Sequence, residues 1–218
     1  MRTVWFIRHA ESEANFGLVT QDTAKTILTP RGRAQAEYIA RAFDEKPSLI
    51  VTSPYVRTQL TAQPTIERFK DVPCEEWPVH EYTFLARPRV HNTTTHQRGP
   101  MAEEYWERGD PYYVDGEGAE SFADMMQRAY DVLDRIKERE EPFIAIFTHG
   151  QFLRAVTWTF LAGRVEINNE NMRRFRSFDR SVDVPNGTIL KVQFIRPGEI
   201  YISNYIISHF PSDIVTYS

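Results

Sequence analysis

What most constrains the folding of this chain is a rhythm of short, almost uninterrupted apolar runs set between stretches with an apolar stripe at helical spacing. Thr3–His9, Ser48–Ser53 and Phe143–His149 are such runs. A strand with one wet face alternates apolar and polar residues; a continuous run suits a strand covered on both faces. Two later runs, Thr188–Ile195 and Glu199–Ile206, are joined by "RPGE", a Pro-Gly turn signal for a hairpin. Between the runs lie helices. Thr29 reads as an N-cap and Pro30 as a first helical residue, with Ala36, Ile39, Ala40 and Phe43 following at helical spacing. A second helix starts near Pro54 and passes Gln63. The longest covers Ala119–Glu141, its stripe running from Phe122 to Ile136. A fourth begins at Gly150 and closes at Gly163, a C-cap. Strand–helix alternation predicts an α/β fold: a three-layer α/β/α sandwich around a mixed, mostly parallel sheet.

The stretch 82–118 breaks the rhythm. It is rich in Pro, Arg, His, Thr and Gly, with a short helix only near Ala102–Glu107. It reads as a cap inserted over the C-terminal strand edge, and long irregular insertions often serve as lids. The expected organisation is one domain, with a core of 1–81 and 119–218 and a cap of about 82–118, since domains usually hold about 100–200 residues.

Composition excludes several classes. With 26 Lys+Arg against 30 Asp+Glu, the net charge is −4, which argues against non-specific nucleic-acid binding. No apolar run approaches the roughly 20 residues that span a bilayer. The N-terminal stretch has no signal-peptide apolar region, which gives the sequons at Asn92 and Asn186 little weight. The single cysteine, Cys74, forms no internal disulfide and sits in the acidic, Pro-bracketed "DVPCEEWP". The expected setting is reducing and cytoplasmic, with no membrane and no nucleic acid as partner.

Three strand ends carry the chemistry. The first ends in Arg8 and His9; the second at Ser53, with Arg57 in the first turn of the following helix; another at His149. Ligands of open parallel sheets bind beyond the carboxyl ends of the strands. Two histidines and two arginines therefore converge at one edge, each near a helix N-terminus that favours anions. Guanidinium forks hold phosphate bidentately. Any one of these residues alone has an ordinary structural reading; together they point to phosphate chemistry.

The motifs also carry a resemblance. "FIRHAESEAN" resembles the signature of the histidine phosphatase superfamily, the phosphoglycerate mutase-like branch. "LTPRGRAQA", "VTSPYVRTQLTA", "HEYTFL", "GAES" and "FTHGQFLR" match in order, and "NGTILKVQF" continues the match. The resemblance implies that His9 is a nucleophile forming a phosphohistidine. It implies that Arg8, Arg57 and His149 hold the phosphoryl oxygens and that Asn15 is the pocket asparagine, with Ser12 a further donor. It places Glu81 where many members keep the acid that protonates the leaving oxygen.

The residue chemistry agrees. Neutral imidazole is a competent nucleophile near neutral pH. Two arginines and a protonated His149 would neutralise the transferring group without a metal. Beside a phosphate dianion a carboxyl favours its protonated form, so Glu81 serves as an acid near pH 6 and then as a base toward water. Glu117 and Glu120 compete for that role. Ala10 stands where the family most often has glycine, and its methyl is expected to trim the pocket.

The expected function is a metal-independent, cofactor-free phosphomonoesterase taking a small phosphorylated metabolite and releasing inorganic phosphate. A phosphoglycerate mutase-type phosphotransferase is the alternative, disfavoured by Glu11 where mutases keep glutamine; a silent phosphate-binding scaffold is the second. In the cap, Arg87, Arg89, His91, His96 and Arg98 form a cationic lid or a solvated loop. His91 and His96 have no metal spacing, and "HEYTF" lacks the second histidine of a zinc protease. Met172–Arg180 reads as an amphipathic helix beside the site, and Ser121 with Asp124 as a capping box.

Overall fold

The computed structural model describes residues 1–196 and 198–217. The elements run β1 (Arg2–Arg8), α1 (Pro30–Arg41), β2 (Leu49–Thr52), α2 (Val56–Arg68), β3 (Cys74–Glu76), α3 (Arg87–Val90), α4 (Thr95–Arg108) and α5 (Phe122–Glu138). They continue β4 (Phe143–Thr148), α6 (Gly150–Ala162), α7 (Asn169–Ser181), β5 (Ile189–Arg196) and β6 (Glu199–Ile202). The sheet order is β3-β2-β4-β1-β5-β6. β3, β2, β4 and β1 pair in parallel, while β5 and β6 add on antiparallel. The sheet is mixed and mostly parallel, as the alternation predicts.

Successive strand residues point to opposite faces, so continuous apolar runs fill two cores. Val4, Phe6, Leu49, Val51, Ile144 and Ile146 pack on one face with side chains of α5, α6 and α7. Trp5, Ile7, Ile50, Ala145 and Phe147 pack on the other with Ile39 and Phe43 from the α1 region and Ala62 of α2. These are the three layers.

The helix starts follow local chemistry. The Thr29 side chain accepts from Gly32 N–H at the start of α1. Ser121 and Asp124 close a reciprocal capping box on α5. Gly163, with φ 76°, ends α6.

Five elements differ from expectation, among them α3, a single turn at Arg87–Val90 in a stretch read as irregular. β3 was not anticipated: its three residues are two glutamates and Cys74, with no apolar pattern, and its pairing with β2 is what makes it a strand. Cys74 is exposed on that edge. α4 runs 14 residues instead of six, because Thr94 and Gln97 form a capping box and the helix tolerates Pro100 inside it. α5 is shorter at both ends than Ala119–Glu141, and β6 stops at Ile202, although Ile206 still pairs back to Ile189. Pro197, of the "RPGE" turn, lies outside the described residues. Among the described residues, no helix is long and apolar enough to cross a membrane.

Candidate active site

β1 and β4 lie side by side in parallel register, with Arg8 opposite Thr148. Their ends therefore deliver His9 and His149 to one point. The two rings meet edge to face with centroids 5.0 Å apart. α2 starts beside them, and Arg57 in its first turn donates from Nε to His9 Nε2 at 3.1 Å. Arg8, His9, Arg57 and His149 are all buried. The structure thus gathers the four residues that three separate chain segments supply.

The ring of His9 is fixed in one tautomer. Nδ1 contacts Ala10 O at 2.7 Å, an acceptor, so Nδ1 carries the hydrogen. Nε2 is then the lone-pair nitrogen, which agrees with its accepting from Arg57. The backbone is held too: His9 N–H donates to Thr148 O at 2.8 Å, and His9 O accepts from Gly187 N–H at 3.2 Å.

Burial, then Arg57 and Arg8, push the His9 imidazole well below its ordinary value of 6.5. The same first cause, followed by Arg57 and His9, does so for His149. A protonated His149 therefore does not describe the ligand-free site. The positive charge there belongs to the arginines. Burial lowers Arg8 only to about 10, with Glu81 opposing, so it stays charged at neutral pH. His149 Nε2 pairs with Ser53 Oγ at 2.8 Å.

Glu81 reaches the same point from the segment between β3 and α3. Its Oε1 accepts from Gln151 N–H at 3.1 Å and Phe152 N–H at 3.3 Å, two of the unpaired donors at the start of α6. The rival carboxylates are placed elsewhere. Glu120 forms a two-pronged pair with Arg128, at 2.9 and 2.7 Å, and Glu117 is exposed.

Asn15 and Ser12 close the loop after β1. Asn15 Oδ1 takes the Ser12 N–H at 3.1 Å, the Ser12 hydroxyl at 2.8 Å and Asn186 Nδ2 at 3.2 Å. Toward an anion Asn15 acts only through its Nδ2. The Ser12 hydroxyl hydrogen is already directed at Asn15. A cavity of about 520 Å3 opens over this cluster, lined at its floor by Arg8, His9, Asn15, Arg57, Glu81 and Gln151.

The model of the histidine phosphatase superfamily (branch 1) matches residues 4–184. The chain belongs to this superfamily. It is 28% identical over 144 residues to the adenosylcobalamin/alpha-ribazole phosphatase of Salmonella typhimurium, covering 62% of this chain and 68% of that one. A phosphoserine phosphatase variant of Entamoeba histolytica, solved with phosphoserine, superposes with a TM-score of 0.72 at 21% identity. That match covers 97% of this chain and all (100%) of the other. A putative alpha-ribazole-5'-P phosphatase of Escherichia coli gives a TM-score of 0.70 at 21% identity over 94% of this chain and 95% of its own. At such identities the structural likeness speaks for the fold.

Of the six basic residues in 82–118 of this histidine phosphatase superfamily member, Arg87 and Arg98 line the cavity. Arg98 is bonded to Thr93 and Thr95 and, among the described residues, makes no ion pair. Arg89 is instead tied to Glu104 and Asp115. His91 bonds Gln21 O at 2.9 Å and His96 is exposed. No group of three or more His, Cys, Asp or Glu among the described residues is arranged to hold a metal ion.

One expectation about the first motif is corrected. The Ala10 methyl does not face the cavity; it packs with Leu28 and Ala36. Glu11 also lies away from it: its Oε1 accepts the Thr29 hydroxyl at 2.5 Å, at the start of α1. Gly32 permits this approach, because a Cβ there would lie 1.9 Å from Glu11 O. The sequence reading missed Gln35 and Asn186, both fully buried behind the loop 9–15. The sequence marks Asn186 as a sequon and as the start of the last matching motif, and neither gives it a role in the site. The Asn-Gly pair is also a turn signal before β5, which would have drawn attention to it.

Proposed function

We infer that the chain is a phosphomonoesterase that works through a phosphohistidine on His9, without metal or cofactor. The observation that carries this is the fixed tautomer of His9, whose Nε2 lone pair stands beside the Arg57 guanidinium in a buried site. In the first step Nε2 attacks phosphorus, the ester P–O bond breaks, and Glu81 gives its proton to the leaving oxygen. In the second step water attacks phosphorus, Glu81 takes its proton, and the P–Nε2 bond breaks to release inorganic phosphate. Arg8, Arg57 and the Nδ2 of Asn15 hold the equatorial oxygens, whose charge builds toward each transition state. His149 adds a neutral imidazole donor.

The substrate is a small phosphorylated molecule. The cavity is far larger than a phosphate, and Arg87 and Arg98 at its cap side favour a body with a second anionic group. Glu11 lies outside the cavity, bonded to the N-cap residue Thr29, and does not by itself separate hydrolase from mutase. The assay does so. Hydrolysis of p-nitrophenyl phosphate and a phosphoester panel, with EDTA present, is expected to vanish in His9→Ala, and members with a second anion to be preferred. Transfer from 2,3-bisphosphoglycerate to 3-phosphoglycerate outpacing hydrolysis would replace this reading with the mutase. Phosphate binding without turnover of any ester would replace it with the scaffold.

A further inference from the structure

After β6 the segment 206–215 packs on the sheet face covered by α1 and α2, where Phe210 joins the core and Ile206, Ile207, Ile214 and Val215 lie against it. From there two routes reach the loop that carries His9. In the first, Thr216 and Asn186 bond twice: the Thr216 hydroxyl donates to Asn186 Oδ1 at 3.2 Å, and Asn186 N–H donates to Thr216 O at 3.0 Å. The Asn186 amide then donates to His9 O at 3.3 Å and to Asn15 Oδ1 at 3.2 Å. In the second, Gln35 Nε2 donates to Ile214 O at 2.7 Å and to Thr216 Oγ1 at 3.0 Å, while its Oε1 accepts from Glu11 N–H at 2.7 Å. Both routes share the Thr216 hydroxyl, as donor in one and acceptor in the other.

A third contact runs in parallel. Phe210 lies against Gly187, where a Cβ would come within 2.4 Å of its ring, and Gly187 N–H is itself bonded to His9 O. Asn186 and Thr216 both fall beyond residue 184, where the superfamily match ends.

We propose that Thr216 is a positioning residue for the chemistry at His9, fixing the loop 9–15 through Asn186 and Gln35 at once. It touches no reacting atom. Gln35 and Asn186 are fully buried, and the loss of the hydroxyl leaves Asn186 Oδ1 and a Gln35 N–H short of a partner. Such groups shift to recover hydrogen bonds. A shift of Asn186 moves both His9 O and Asn15, and a misplacement of about 1 Å at a reacting group lowers rate on the order of 100-fold.

The test compares wild type with Thr216→Val, which replaces the hydroxyl by a methyl, with Thr216→Ser, which keeps it, and with Thr159→Val as a control. Thr159 is also buried, and its hydroxyl bonds Ala155 O at 2.8 Å inside α6. Steady-state kinetics with p-nitrophenyl phosphate and calorimetric binding of inorganic phosphate are measured where every variant is folded. Thr216→Val is expected to lower kcat at least tenfold and phosphate affinity several-fold. Thr216→Ser restores both to within about twofold of wild type, and Thr159→Val lowers Tm but leaves both. A Thr216→Val enzyme with lowered Tm but wild-type kcat and phosphate affinity overturns the proposal. Should Thr216→Val not fold, Thr216→Ala, with room for a bridging water, carries the same test. The kinetic arm rests on the phosphatase reading. A wild type that hydrolyses no ester sinks that reading, and the phosphate-binding arm still decides the role of Thr216.

Discussion

At the scale of single residues, burial and the arginines disfavour protons on the histidines of the site. His9 and His149 are buried among two guanidinium groups, and both imidazoles are held well below their ordinary value. In the proposed mechanism, a nucleophile kept neutral by burial has no proton to lose before it attacks. The expected pH profile of kcat/KM for p-nitrophenyl phosphate therefore has no acid limb centred near 6.5. Initial rates between pH 5.5 and 8 check this. A limb near 6.5 that shifts in His149→Gln would mean that a histidine titrates there normally. Arg8, His9, Arg57 and His149 were legible in the sequence because each sits at a strand end or in the first helical turn after one, and those places are fixed by local pattern. The surroundings of Ala10, Glu11 and Asn186 were not. They are decided by contacts to Leu28, Thr29 and Thr216, distant in the chain and visible only once the layers are packed.

At the scale of elements, the start of α6 does two tasks. Its N-cap residue is His149, and its first free N–H groups, from Gln151 and Phe152, hold the Glu81 carboxyl. A helix start thus holds one candidate acid and stations one imidazole beside it. Glu81→Gln keeps an acceptor for those N–H groups but has no proton to deliver. It is expected to lower kcat/KM for glycerol phosphate, a poor leaving group, by about 100-fold. For p-nitrophenyl phosphate, whose leaving oxygen needs little help, the fall is expected to stay under about tenfold. Equal falls for both substrates would remove Glu81 from the acid role. The elements hardest to read beforehand were β3 and α4. Pairing with β2 makes a strand of an acidic tripeptide, and the capping box at Thr94 outweighs Pro100, a residue that locally argues against a helix.

At the scale of the whole molecule, the same buried histidines tie stability to pH. In the unfolded chain each takes up a proton below about pH 6.5; in the folded chain burial prevents it. Between those limits the unfolded state binds more protons, so stability rises with pH and falls as pH drops through 6.5. For a histidine that stays neutral when folded, the loss between pH 7.5 and 5.5 is about 1.4 kcal/mol. His9 and His149 together give about 3 kcal/mol, and His80 and His209, both lowered to about 4 chiefly by burial, act in the same direction. The lowered carboxylates, such as Asp115 and Glu141, contribute only at more acidic pH, because their ordinary values lie near 4. Urea unfolding at pH 7.5 and 5.5 is therefore expected to show a loss of at least about 2 kcal/mol. Inorganic phosphate should recover part of it by binding only the folded state. Stability that is flat across this interval would mean that His9 and His149 take up protons in the folded protein despite their burial beside Arg8 and Arg57.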